Sequence, residues 1–188
     1  MNEHLNKLER RALAYLGFRG EADREQTEMI RKAIADTRRF ARPQFVYRYF
    51  ALVDKGDRLE TDIEIGYPSL QNMLRKGNSE SICILVSTLG PGIDNRLEKL
   101  RQTDMPAMVL MDACANSLIE EETDAFQERL GLQSSTFRYA PGYGDVPLSL
   151  QRQIFDLMPE IAGIGIKLDD SCLMHPMKSM TGIIGFRA

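Results

Sequence analysis

Apolar residues recur at three- and four-residue intervals near the start of the chain, where Leu5, Leu8, Ala12, Leu13 and Leu16 form one stripe among charged neighbours. That spacing predicts a helix over 5–15 with a single buried face, closed by Gly17 and Gly20. Positions 21–40 repeat the pattern in more polar form, with Met29, Ile30, Ala33, Ile34 and Thr37 on one side, and predict a surface helix laid over the core. Pro43 ends it. Phe45, Tyr47 and Tyr49 then alternate with Gln44, Val46, Arg48 and Phe50 ahead of Ala51-Leu52-Val53, a β-rich run.

After a turn at Asp54-Lys55-Gly56-Asp57, Leu59, Thr61, Ile63 and Ile65 alternate with Glu60, Asp62 and Glu64. A period of two predicts a second strand with one wet face, antiparallel to the first. Positions 69–75 predict a short helix ending at Gly77. The run Ser81-Ile82-Cys83-Ile84-Leu85-Val86-Ser87-Thr88 is nearly continuous in apolarity, as in a strand buried on both faces. Ile93, Leu97 and Leu100 mark the next helix. Pro106 heads a longer one through Met108, Val109, Asp112, Ala115, Leu118 and Ile119 to about 130, and its small residues Ala113, Ala115 and Ser117 permit close packing against a sheet.

Positions 134–145 are too rich in Pro and Gly for regular structure and predict a loop. Pro147 stands in the first turn of a helix bearing Leu150, Ile154, Leu157 and Met158, and 164–168 and 179–186 read as strands. Helices and strands are grouped rather than strictly alternating. This predicts an α+β fold with a mixed, largely antiparallel sheet flanked by helices. Residues 1–40 form an N-terminal helical segment and 41–188 the α+β core of one structural domain.

With 188 residues, 43% hydrophobic and 27% charged, the chain has the composition of one globular domain. Its longest apolar runs, such as 82–86, fall far short of the roughly 20 residues of a membrane helix. Met1-Asn2-Glu3-His4 opens into charged sequence without a signal-peptide core, so a cytoplasmic protein is expected. Cys83, Cys114 and Cys172 are odd in number and set in apolar sequence, which predicts buried thiols with neither disulfides nor a zinc site. A net charge of −3 with interleaved signs offers no basic stripe for nucleic acid.

Candidate chemistry is sparse. Gly90-Pro91-Gly92 could turn backbone N–H groups toward an anion, or could be only a tight connection; it is neither a lysine-bearing phosphate loop nor a three-glycine dinucleotide turn. His4 and His175 have no paired metal-ligand spacing. Cys172 lacks an obvious base and reads as an inert thiol, and Asp169-Asp170 reads as a solvated turn. Lys178 could meet an anionic edge, although a surface lysine is the default. Arg138-Tyr139-Ala140-Pro141-Gly142-Tyr143 is more informative: a guanidinium fork suited to a carboxylate, a stiff Pro-Gly corner and two phenols within six residues. A tyrosine ring can stack on a purine or lie near a cationic sulfur. An ordinary turn with a surface arginine gives the same string.

That string, the Pro147 helix that follows and Ser171-Cys172-Leu173-Met174-His175-Pro176-Met177-Lys178-Ser179-Met180-Thr181-Gly182 resemble successive signatures of the activation (reactivation) domain of cobalamin-dependent methionine synthase, here without the rest of that enzyme. Thr88-Leu89-Gly90 and Asp112-Ala113-Cys114-Ala115-Asn116-Ser117-Leu118-Ile119-Glu120 fall upstream in the order that family shows, and the resemblance covers about 81–186.

The resemblance implies S-adenosylmethionine bound in a shallow groove. By it Arg138 holds the ligand's carboxylate, Ala140, Gly142 and Tyr143 form the groove floor, and Glu120 offsets the ligand's positive charge. Tyr139, Lys178 and Ser179 stand as further groove or corrinoid-facing positions. It also implies cobalamin held by partner methionine synthase modules and an electron donor of flavodoxin-like or ferredoxin-like type, with no catalytic residue on this chain. Ile183-Ile184-Gly185 replaces the family's aromatic pair, so one ligand wall is expected to differ. Three functions follow: an S-adenosylmethionine-binding accessory to cobalamin reactivation, an interaction module of the same fold without the ligand, or an autonomous small-molecule methyltransferase.

Overall fold

A computed structural model describes residues 5–19, 22–53, 58–61, 63–132 and 135–187. The expected turn at 54–57, together with His4, Gly20, Asp62 and Ser134, lies outside the described residues. The chain begins with α1 (Lys7–Tyr15) and α2 (Arg24–Phe40), each opened by a reciprocal capping box, Asn6 with Glu9 and Asp23 with Gln26. There follow β1 (Gln44–Val53), β2 (Arg58–Leu59), α3 (Pro68–Lys76), β3 (Ser81–Thr88), α4 (Pro91–Thr103) and α5 (Met105–Arg129). The remainder is α6 (Leu150–Leu157), a 3₁₀ turn at Pro159–Ile164, β4 (Lys167–Leu168), β5 (Met174–His175) and β6 (Ser179–Phe186).

The main sheet has the order β2-β1-β3-β6 with every neighbouring pair antiparallel, and β4 and β5 form a separate antiparallel ribbon. The α+β class with an antiparallel sheet is therefore the one the hydrophobic pattern predicts. Strand β3 is central because both of its faces are apolar. Ile82, Ile84 and Val86 enter a core completed by Leu70 and Leu74 of α3 and Leu150 and Ile154 of α6, while Cys83 and Leu85 enter a second with Leu132 and Ile184. Phe126 of α5 covers that second face, stacked on Phe45 of β1 at 4.3 Å. A further core joins Leu8 of α1, Ile93 and Leu97 of α4 and Leu118 of α5.

The alternation over 59–65 is not one strand. Leu59 N–H donates to the Ile63 carbonyl at 2.9 Å and Arg58 bridges back to Glu64, so the chain reverses at once. Leu59 and Ile65 are both buried, which is why the reversal mimics a period of two. The predicted strand at 164–168 shrinks to Lys167–Leu168, because Ile164 closes the 3₁₀ turn and Gly165 takes a left-handed φ of 77°. Pro147 precedes α6 by a separate turn rather than standing inside it. The short strand β5 has no counterpart in the sequence reading.

On α5, Ser117 does not face the sheet: its hydroxyl donates to the Leu8 carbonyl at 2.8 Å and draws α1 close. Ala115 packs in the same helix–helix core as Leu8. At Gly92 a Cβ would overlap the carbonyl oxygen of Phe40, so the Gly90-Pro91-Gly92 turn brings α4 tightly against the end of α2. All three cysteines are free and buried, and no described helix is long and apolar enough to cross a membrane.

Candidate functional site

The segment before the Pro-Gly corner lies along the edge of β6. Tyr139 N–H donates to the Ile183 carbonyl at 2.9 Å, Ile183 N–H returns the bond at 2.7 Å, and Thr136 N–H donates to Gly185 at 2.9 Å. In this extended stretch successive side chains take opposite sides. Tyr139 is buried in the α3/α6 core with its hydroxyl donating to Ser69 Oγ at 2.6 Å, and Arg138 turns the other way, toward α5. Gly182 of β6 makes room for it, since a Cβ there would stand 2.9 Å from Arg138 Cδ. The corner itself is tied by Gly142 N–H to the Val146 carbonyl at 2.9 Å and Tyr143 N–H to the Ala140 carbonyl at 3.1 Å, with Gly142 at a φ of 93°.

Arg138 meets a polar stripe on α5. Its Nη2 contacts Glu120 Oε2 at 2.9 Å and Asp124 Oδ1 at 2.7 Å, and its Nη1 donates to Gln127 Oε1 at 2.9 Å. Glu120, Asp124 and Gln127 are four and three residues apart and so share one helix face. A matching stripe on α1 faces them: Lys7 Nζ and Arg11 Nη1 reach Asp124 Oδ2 at 2.7 and 3.0 Å. Helix α1 is held there by the buried Glu9, which pairs with Arg31 of α2 at 2.9 Å, and by the Ser117 hydroxyl.

Between these elements lies a hollow of about 320 Å³ whose walls include Arg11, Glu120, Asp124, Arg138, Ala140 and Tyr143. A second hollow of about 370 Å³, lined by Arg11, Ala14, Tyr15 and Glu120, adjoins it through the two residues they share. Each is at the low end of the roughly 300–1,000 Å³ of small-molecule clefts, and each sets opposed charges beside an exposed phenol, Tyr143 in the first, the groove that Arg138 borders, and Tyr15 in the second. Burial, then Glu120 and Tyr143, push the Tyr15 phenol above its ordinary value against the opposing effect of Arg11. At Asp124 burial acts upward, but the hydrogen bonds from Lys7 and Arg138 and the fields of Arg138 and Arg11 outweigh it and hold the carboxyl below its ordinary value. A larger hollow of about 670 Å³ lies by the start of α5; its walls are apolar apart from Asp104, which caps that helix.

Of the residues singled out in the sequence, Glu120, Arg138, Ala140 and Tyr143 line this groove together, with Gly142 in the loop between the last two. Tyr139 faces the core instead. Lys178 is not a surface lysine: it is buried, with Nζ donating to Asp112 Oδ1 at 2.7 Å and Asn116 Oδ1 at 2.6 Å. Ser179 Oγ donates to the Pro176 carbonyl at 2.7 Å and lies 2.9 Å from Thr88 Oγ1, and neither Lys178 nor Ser179 borders the groove. Ile183 and Ile184 are buried in the two cores, so the groove wall given by β6 is Met180 and Thr181.

Arg11, Asp124 and Gln127 were not singled out in the sequence; their signal is the three- and four-residue spacing of polar groups on α1 and α5. His175 Nε2 lies 3.1 Å from Asp169 Oδ2 across the β4–β5 ribbon, and Arg152 Nη2 lies 3.5 Å from Cys172 Sγ. Among the described residues no group of three or more His, Cys, Asp or Glu could hold a metal ion.

Residues 57–187 match the family described as vitamin B12 dependent methionine synthase, activation domain. No curated protein matches the chain. Among solved structures, the MetH reactivation domain bound to AdoHcy is similar, with a TM-score of 0.68 and 18% sequence identity over 94% of this chain and 74% of that one. At this identity the likeness concerns the fold.

Proposed function

Since the chain belongs to the family of the vitamin B12 dependent methionine synthase activation domain, we propose that its charged groove binds S-adenosylmethionine and that it supports reductive methylation of cobalamin on a separate corrinoid protein. The observation behind this is that Glu120 and Asp124 stand opposite Arg138 and Tyr143 in one hollow. The residues fit the ligand. Two carboxylates suit its sulfonium and ammonium charges, guanidinium groups suit its carboxylate, and the exposed Tyr143 offers a ring to the base. S-adenosylmethionine supplies a methyl on a sulfonium sulfur; this chain's residues bind and orient it at the groove.

The corrinoid is held, in this reading, by methionine synthase modules in the cytoplasm, with the electron coming from a flavodoxin-like or ferredoxin-like donor. The similar solved domain has AdoHcy bound, which supports the choice of ligand class. Calorimetric titration of the intact protein with S-adenosylmethionine and S-adenosylhomocysteine is expected to give saturable binding, weakened about tenfold by Glu120→Gln and by Tyr143→Ala. No saturation with either ligand at millimolar concentration would overturn the reading.

A second reading, an interaction module without the ligand, is favoured by one observation: both Nη groups of Arg138 already serve Glu120, Asp124 and Gln127. It predicts capture of a corrinoid-bearing methionine synthase with an affinity indifferent to S-adenosylmethionine.

A further inference from the structure

We propose that Asp145 is a positioning residue for the groove: its carboxylate caps α3 from a distant part of the chain and so fixes the loop that presents Ala140 and Tyr143 to the ligand. This rests on the groove being an S-adenosylmethionine site. Helix α3 begins at Pro68, after a Tyr67 whose side chain makes no capping bond. The cap comes instead from 76 positions downstream. Both oxygens of Asp145 accept from Ser69 N–H at 3.3 Å, and Oδ1 also accepts from the Ser69 hydroxyl. The first N–H groups of a helix have no partner within it, so a carboxylate placed there meets free donors and the positive end of the helix dipole. The Ser69 hydroxyl also holds the Asp145 carboxyl below its ordinary value, which keeps the cap charged at neutral pH.

The same contact closes one side of the ligand loop. The Tyr139 hydroxyl donates to that Ser69 oxygen at 2.6 Å, and Gly144 lets the segments meet, since a Cβ there would stand 2.5 Å from the Tyr139 oxygen. The loop is thus tied twice, at Tyr139 to β6 through the paired bonds with Ile183 and at Asp145 to α3. Val146, next to Asp145, enters the core that holds Leu70 of α3. Between the ties Tyr143 is 62% exposed, and its backbone bonds stay inside the loop, from its N–H to the Ala140 carbonyl and to its carbonyl from Val146 N–H. Its ring meets that of Tyr139 edge-on at 6.3 Å, which joins it to the chain of contacts ending at Asp145. A ring so exposed is placed by the anchors of its loop rather than by packing. With the Asp145 anchor removed, a ligand would have to order the loop as it binds, and affinity would fall.

The test sets Asp145→Ala beside Asp145→Asn, which loses the charge but keeps an oxygen that caps helices as well as a carboxylate does. Calorimetric titration with S-adenosylmethionine is expected to show affinity about tenfold weaker for Asp145→Ala and within about threefold of wild type for Asp145→Asn. Hydrogen exchange read by peptide mass analysis should find the amides of Gly142, Tyr143 and Val146 exchanging faster in Asp145→Ala and near the wild-type rate in Asp145→Asn. Asp104→Ala controls for the loss of a cap as such: Asp104 accepts from Ala107 N–H at 3.0 Å at the start of α5, beside the apolar hollow rather than the groove. It should lower the melting temperature and leave affinity unchanged. If Asp145→Ala does not fold, Ser69→Ala, which removes the hydroxyl link and keeps the backbone N–H, should weaken binding by about threefold. Wild-type affinity in a folded Asp145→Ala, no rescue by Asp145→Asn, or an equal loss in Asp104→Ala would overturn this assignment and leave the groove reading standing. A wild type that binds no S-adenosylmethionine would remove the groove reading itself.

Discussion

Asp124 of α5 accepts from Arg138 Nη2 at 2.7 Å through Oδ1, which ties the loop beside β6 to the helix across the groove. Its other oxygen faces Lys7 and Arg11, so one carboxylate joins α1, α5 and that loop. Asp124→Asn is expected to lower stability by about 1–3 kcal/mol in urea unfolding, because a partly buried Arg138 loses charge-assisted contact. The pH dependence has a definite sign. The folded carboxyl titrates below its ordinary value of 3.8, so its contribution is full above that pH and is lost as pH falls through the lower folded value. Melting temperatures measured from pH 6 downward should show the wild-type advantage over Asp124→Asn intact above about pH 4 and shrinking progressively as the pH falls further. A difference that holds constant through that range would contradict the assignment.

Why the fold was legible and half the groove was not follows from the residues. β3 and β6 declare themselves because Ile82, Ile84, Ile183 and Ile184 satisfy two apolar cores at a period of two, and no helix can place them so. The corner at 138–143 is legible because Pro141 and Gly142 restrict the backbone beside an arginine and two phenols. Arg11 and Asp124 carry no such mark. Charged residues four apart on a helix read as a solvated face, and the contact joining them spans positions 113 residues apart. Lys178 misleads for the same reason, since its acceptors Asp112 and Asn116 lie more than 60 positions upstream.

A second coupling joins sheet to helix inside the protein. Ser87 Oγ and Thr123 Oγ1 lie 2.8 Å apart and both residues are fully buried, with Thr123 also 2.6 Å from the Ile119 carbonyl. Thr123→Val keeps the shape but strands the Ser87 hydroxyl, at a cost of about 1–3 kcal/mol. Adding Ser87→Ala removes the stranded group, so the double variant should recover part of that loss. A double-mutant cycle by chemical unfolding measures the coupling, and strict additivity would show that the two hydroxyls do not act as a pair.

The thiols of Cys83 and Cys114 are both pushed up by burial to about 12. Neither should form enough thiolate to react at pH 8 while the protein is folded. Iodoacetamide labelling followed by peptide mass analysis is expected to leave both unmodified in native protein and to modify both in denaturant. Rapid native labelling of either would mean that the covering elements open far more readily than their packing allows.

The fit of Arg138 over Gly182 gives the sharpest test of how the sheet builds the groove. A methyl at 182 would press on Arg138 at Cδ, Cγ and Cβ, at 2.9, 3.2 and 3.3 Å. A free arginine could swing aside, but this one is held at its far end by Glu120, Asp124 and Gln127, so it cannot yield without breaking those contacts. Gly182→Ala should therefore cost about 1–3 kcal/mol of stability, as overpacked cores do, and should also weaken S-adenosylmethionine binding in the same titration that tests the groove. Gly163→Ala is the control: a Cβ there meets nothing within 4 Å, so stability and binding should both hold. If Gly182→Ala lowered stability and left affinity untouched, the position of Arg138 would matter to the fold without mattering to the ligand.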